Sequence, residues 1–561
     1  MKEFPWVKMY PSGIPPEIAS NEYQSLVGLF DASFRKYASE VAFENMGARI
    51  TYGQVDELST HFAAYLQKGL GLKKGERIAI QMPNLLQFPI AFIGALKAGL
   101  IVVNTNPLYT PREMEHQFKD SGATAIVIVS NFALNLQKIL KNTAIKHVII
   151  TDLGDMLKGI KRPLVNFVVK RIKKMVPDYH IEGRIRFRQA LAEGAAMKLS
   201  PPEIRPDDAA VLQYTGGTTG VSKGAILSHA NIIAHNAMIK FWFLPYLSQN
   251  TGQEIIITAI PMYHIFALTV NGVLMMSVGA RNVLITNPRD MKGFVKELKK
   301  HKFTLITGVN TLFNGLLNNP GFANLDFSRL KGAVAGGMAL QDAVAIRWEE
   351  VTGKPLVEGY GLSETSPVLC CNPLDGTHKP GSIGLPVPST EVAIFDDDGN
   401  QLPQGETGEI CARGPQVMSG YWQQSNEGVF WPGGWFKTGD IGVMDEQGFF
   451  KIVDRKKDMI MVSGFNVFPN EIENVVANNK KVLEVAAIGI PDVRSGEAIK
   501  IFVIKKDPSL TEDELRAFCE ENLTKYKVPR HIEFRQTLPK SSVGKILRRE
   551  LKEEEVKSEA A

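Results

Sequence analysis

Residues 214–224 read Tyr214-Thr215-Gly216-Gly217-Thr218-Thr219-Gly220-Val221-Ser222-Lys223-Gly224. The run before them, 209–214, is apolar and reads as a buried strand. The stretch then offers four glycines, three threonines, one serine and one lysine, with no acid among them. Glycines let backbone N–H groups converge on an anion. The hydroxyls add hydrogen bonds and the lysine a point charge. This is the chemistry of a polyphosphate loop. It is not a Walker A loop, because Lys223 does not follow Gly220 directly and Gly224 stands where that motif needs Ser or Thr.

On both sides of this loop, β-branched runs alternate with helical periodicity. Strands are expected at 77–82, 101–105, 125–129 and 147–151, and again at 255–260, 282–285, 304–307, 331–335 and 355–358. Helices are expected between them. Thr110-Pro111-Arg112-Glu113 opens one with a capping box and a proline at its first position. The pattern predicts an α/β chain with parallel, helix-covered sheets. The turns Pro261-Met262-Tyr263-His264, Ala335-Gly336-Gly337-Met338 and Glu358-Gly359-Tyr360-Gly361 follow strand ends, where open α/β sheets bind ligands.

Residues 1–50 read as an irregular entry with one helix near 25–38. From about 381 the helices stop, and short strands predict a β-barrel-like subdomain. Residues 454–458, Asp-Arg-Lys-Lys-Asp, form a charged break before a small α+β unit in which Asn470 caps a helix. The expected domains are 1–453, a hinge at 454–457 centred on Asp454, and a mobile unit at 458–561.

At 561 residues the chain is too long for one core. A net charge of +5 is small for this size and argues against broad nucleic-acid binding. Cys370, Cys371, Cys411 and Cys519 lack metal-ligand spacing and read as reduced thiols of a cytoplasmic protein. The first 13 residues carry no apolar core, so no signal peptide is expected, and no apolar run is long enough to span a bilayer. The segment 158–176 mixes Lys and Arg with apolar side chains and contains no acid. It fits either a surface helix with its apolar side on the sheet or a segment resting on anionic lipid at the inner face of the cell membrane.

The loop at 214–224, Glu358–Glu364, Trp435-Phe436-Lys437-Thr438-Gly439-Asp440, Asp454-Arg455-Lys456 and Gly544-Lys545 occur in this order. Together they resemble the adenylate-forming enzymes, which include acyl-CoA synthetases, luciferases and peptide-synthetase adenylation domains. Residues 434–457, 463–469 and 539–549 are similar to those of the fatty acyl-CoA synthetases. One departure is Gly216, where many relatives place Ser.

The resemblance implies ATP-dependent ligation of a long-chain fatty acid to CoA through acyl-AMP. By it, Thr215, Gly216, Gly217, Thr218, Thr219, Gly220, Gly337, Tyr360, Gly361, Ser363, Asp440 and Arg455 are expected to hold ATP or AMP. Thr215 and Glu364 would bind Mg2+. Lys545, Lys223 and His264 would be catalytic, and Ser463, Gly464 and Phe465 would meet CoA after rotation at Asp454. An aryl- or medium-chain acyl-CoA ligase, an acyl-AMP ligase and a non-catalytic lipid-binding adaptor are the alternatives. A homodimer is left open.

Overall fold

The computed structural model describes residues 4–19, 22–215, 222–247, 252–492, 494–541 and 544–559. Two large sheets form the body of the chain. In one, the strands Ile185–Arg186, His147–Thr151, Ala125–Val129, Arg77–Gln81, Ile101–Asn104 and Ala209–Thr215 lie side by side in parallel. Lys223–Ser228 closes that edge antiparallel to Ala209–Thr215, so the phosphate-loop sequence joins the two arms of a hairpin. The other sheet has nine strands. Its centre is parallel, from Val41–Asn45 and Arg281–Leu284 through Leu356–Gly361, and antiparallel pairs finish both edges.

The runs at 125–129 and 147–151 match their strands end to end, and all ten residues but His147 are buried. Central parallel strands covered on both faces require this kind of uninterrupted apolar run. Thr110 caps the helix Pro111–Ser121 as expected: its hydroxyl accepts from Glu113 N–H, and the Glu113 carboxylate accepts from Thr110 N–H at 2.8 Å.

A five-stranded antiparallel sheet, from Glu391–Phe395 to Phe450–Arg455, occupies the region read as barrel-like. A smaller α+β unit follows, in which Val482–Asp492 and Gly496–Lys505 form the long central pair. Asp454 is the penultimate residue of Phe450–Arg455 and is fully buried.

Three readings need correction. Residues 1–50 are not irregular after the first helix, since Val41–Asn45 and Ala48–Thr51 form a hairpin on the edge of the nine-stranded sheet. Asn470 does not cap its helix. Phe468 holds the cap position, while Asn470 N–H donates to Asp454 Oδ2 at 2.8 Å. The segment 158–176 buries only part of its apolar side, with Val165 packed against the core. Ile160, Leu164, Phe167, Ile172 and Met175 are each more than half exposed.

Candidate active site

Strand ends from both large sheets, the antiparallel sheet and the small unit meet at one cleft of about 1220 Å³. Thr215 and Lys223 flank the loop read as phosphate-binding and pair directly across the hairpin. Gly216, Gly217, Thr218, Thr219 and Gly220 lie outside the described residues. The remaining nucleotide candidates (Gly337, Tyr360, Gly361, Ser363, Asp440 and Arg455) all line the cleft. Gly361 must be glycine, because a Cβ there would sit 1.8 Å from the Pro367 carbonyl oxygen.

Asp440 is neither a turn residue nor solvated. It lies in the strand Trp435–Met444 opposite Arg455. Its Oδ2 accepts from Tyr360 OH at 2.7 Å, and its Oδ1 pairs with Arg455 Nε at 3.0 Å. The carboxylate raises the Arg455 pKa. Burial, then the Asp440 charge, pushes the Tyr360 phenol far above its ordinary value, so Tyr360 stays a donor. An ionised carboxylate has roughly four lone-pair sites, which leaves acceptor capacity for a further donor pair.

Glu364 is buried at the base of the cleft. Its Oε1 accepts from Tyr421 OH at 2.8 Å and from Thr215 Oγ1 at 3.4 Å. The Lys223 ammonium lies 5.3 Å from the centre of the same Tyr421 ring. Sequence reading missed Tyr421. It stands 57 positions from Glu364 in a stretch without periodicity, and Gly420-Tyr421-Trp422 gave no more signal than a loop.

Lys545 lines the cleft, and its pKa is pulled down to about 8, first by the Arg455 charge and then by burial. Gly544 before it has a φ of +87°, and its carbonyl accepts from Thr311 Oγ1 at 2.9 Å, which ties the small unit to the large domain beside the lysine. His264 is a cleft wall. Burial, then the charge of Lys545, lowers its pKa to about 4, so the ring is neutral near pH 7. Its Nδ1 accepts from Phe266 N–H at 3.4 Å, which leaves the proton on Nε2.

Two further features were not read from sequence. Glu358 lines the cleft with a pKa pushed up to about 8 by burial. The same cleft is also lined by the apolar Ile239, Phe243, Phe266, Val270 and Val334, which belong to one core cluster, and by Val309. Ser463, Gly464 and Phe465 are not brought to the cleft. Phe465 is exposed and stacks on Tyr526 with ring centres 4.8 Å apart.

Residues 30–422 match the family described as AMP-binding enzyme, and 471–545 match its C-terminal domain. The chain belongs to the AMP-binding enzyme family. A long-chain-fatty-acid–CoA ligase of Escherichia coli O6:H1 is 58% identical over 550 residues, covering 98% of both chains. The ligase of that name from Yersinia pestis is 57% identical over 554 residues, again covering 98% of both. Among solved structures, the anthranilate CoA ligase AuaEII in complex with anthranoyl-AMP has a TM-score of 0.85 at 25% identity, covering 97% of this chain and 100% of that one.

Proposed function

We propose that this chain joins a long-chain fatty acid to CoA in an ATP-dependent reaction through an acyl adenylate. One observation carries the reading: a single cleft is lined both by apolar side chains of one core cluster and by the polar set of Tyr360, Glu364, Asp440, Arg455 and Lys545. The near full-length likeness to long-chain-fatty-acid–CoA ligases supports it.

In the first step a fatty carboxylate oxygen attacks the α-phosphorus of ATP. A C(O)O–P bond forms, and the bond to pyrophosphate breaks. Charge gathers on a five-coordinate phosphorus, so preorganised cations and donors are the main source of acceleration. Lys545 in its ammonium form bridges the carboxylate and the α-phosphate. His264 offers Nε2–H to the acyl carboxylate. Tyr360 offers its ring face to adenine, while Asp440 and Arg455 hold the ribose. Lys223 and the loop at 216–220 take the β- and γ-phosphates. In the second step the CoA sulfur attacks the acyl carbon, and the bond to AMP breaks. Ser463, Gly464 and Phe465 meet CoA after the unit 458–561 turns about 454–457, with 1–453 as the fixed domain.

Glu364 and Thr215 fit Mg2+, since both present oxygen, one of them a buried carboxylate. When bound, the ion neutralises phosphate charge.

The test is pyrophosphate release with acids of graded chain length, with and without CoA. Release that rises with chain length, and acyl-CoA formed only when CoA is present, is the expected result. No release with any acid removes the enzyme reading. Release only with aryl or medium-chain acids moves the chain to another ligase.

The fatty acid partitions into membranes, and the segment 158–176 is built to meet one. Among the described residues no helix is long and apolar enough to cross a bilayer. The exposed Ile160, Leu164, Phe167, Ile172 and Met175 accompany exposed Lys170, Arg171, Lys173 and Lys174. The segment is held from below by Asn166, whose Oδ1 accepts from Gly154 N–H at 2.7 Å. We infer reversible peripheral attachment of this cytoplasmic enzyme to anionic lipid. Each basic residue near such a surface contributes about 1 kcal/mol. Changing the four to Gln is expected to weaken binding to phosphatidylglycerol vesicles by roughly tenfold or more and to slow turnover of vesicle-borne oleate. Turnover of a short-chain acid in free solution is expected to be unchanged. Vesicle binding that survives the four changes at low salt shows the segment to be ordinary surface.

A further inference from the structure

Tyr421 touches both charged groups at the base of the phosphate hairpin. Its hydroxyl donates to Glu364 Oε1 at 2.8 Å, and its ring faces the Lys223 ammonium at 5.3 Å. The backbone around it is clamped to the strand that leaves the phosphate loop. Ile226 N–H donates to Gly420 O at 3.0 Å, Trp422 N–H donates to Gly224 O at 2.8 Å, and Ala225 bridges Tyr421 antiparallel between them. The same stretch reaches Glu364 from the other side, since Met418 N–H donates to Glu364 O at 2.8 Å.

We propose that Tyr421 is a positioning residue that fixes the Glu364 carboxylate for a divalent cation and seats Lys223 for the nucleotide phosphates. The proposal rests on the reading of Glu364 as the metal carboxylate. Among the described residues, the side-chain donors to this carboxylate, Thr215 and Tyr421, both go to Oε1. A carboxylate held by one oxygen keeps a fixed plane, and its second oxygen is presented in one direction. That is the preorganisation a small ion with strict octahedral demands rewards. The ring does separate work, because a cation over an aromatic face is held without an anion that would compete with phosphate.

The test separates hydroxyl from ring. Tyr421→Phe keeps the ring and removes the donor. Mn2+ titration in the presence of ATP, read by electron paramagnetic resonance, is expected to show affinity lower by about 10- to 100-fold, the scale for losing an outer hydrogen-bond partner of a metal-binding carboxylate. The Mg2+ concentration for half-maximal pyrophosphate release is expected to rise by the same factor, with the fatty-acid KM unchanged. Tyr421→Leu removes the ring as well and is expected to weaken ATP more than AMP, because only ATP carries the phosphates that Lys223 is assigned.

Tyr421→Phe with the parent's Mn2+ affinity and Mg2+ dependence overturns the proposal. Glu364→Gln, measured alongside, tells the failures apart. If that variant loses Mn2+ affinity while Tyr421→Phe does not, only the role of Tyr421 falls. If Glu364→Gln also binds Mn2+ normally, the metal assignment falls with it.

Discussion

Lys545→Ala is expected to lower pyrophosphate release from ATP and a long-chain acid by about 100-fold or more, the scale seen when one preorganised transition-state donor is removed. Thioester formation from supplied acyl-AMP and CoA is expected to stay within about threefold, because the developing phosphate charge belongs to the first step alone. The geometry behind this is local. Gly544, at a φ of +87°, turns the chain so that Lys545 enters the cleft, and Thr311 pins the turn by its carbonyl. A pH signature should accompany it. Arg455 and burial pull the lysine down to about 8. The ammonium is the working form, so the first half-reaction is full below that value and falls as pH rises through it. The second half-reaction should lack this limb. Equal loss of both half-reactions in Lys545→Ala, or a flat first-step profile between pH 7 and 9, counts against the assignment.

This prediction depends on a residue whose site was legible only as a motif. The sheets were legible in a different way. Ala125–Val129 and His147–Thr151 are apolar because they lie in the middle of a covered sheet, and the sequence shows that burial directly. Val41–Asn45 and Ala48–Thr51 escaped because their polar residues find partners instead of solvent. Glu44 is buried against Arg49 at 2.8 Å and Arg281 at 3.6 Å. The turn between them, Met46-Gly47, has positive φ at both residues, and its Gly47 was the one available signal.

Lys223–Ser228 escaped for another reason. Its first two residues were counted as loop chemistry, so a hairpin was read as a strand followed by a turn. Tyr421 depends on a bridge to Ala225 in the strand Lys223–Ser228, and the Asp440–Arg455 pairing depends on register in a sheet whose strands include Gly439 and Gly442. At Gly442 a Cβ would lie 2.7 Å from the Lys451 carbonyl oxygen, so the alternation is broken where the backbones come closest. Motif order located the site, while side-chain partners across the sheets could only come from the fold.

The second large effect is structural and sits where the strand Phe450–Arg455 meets the small unit. Arg548 is the first residue of the helix Arg548–Glu559, where a cation opposes the helix dipole. It is held there by three acids. Its Nε and Nη2 reach the two Glu473 oxygens at 2.9 and 2.7 Å, and its Nη1 lies 3.3 Å from Asp454 Oδ1 and 3.5 Å from Asp458 Oδ2. Burial pulls its pKa down, but Glu473, Asp454 and Asp458 more than offset this and hold the guanidinium charged. The Asp454 side chain has no solvent exposure, and its remaining partners are the N–H groups of Asn470 and Arg455.

Arg548→Met keeps most of the aliphatic volume and leaves that carboxylate buried without a cation. Breaking a buried pair in this way costs about 3–5 kcal/mol. The loss should appear as early unfolding of the small unit, read by denaturant titration with a probe confined to it. Asp454→Asn in the same chain removes the stranded charge and should recover part of the loss, giving a favourable coupling of at least about 1 kcal/mol in the double-mutant cycle. Arg548→Met within about 1 kcal/mol of the parent, or no coupling to Asp454→Asn, would mean that the Arg548 cluster does not hold the strand Phe450–Arg455 to the small unit.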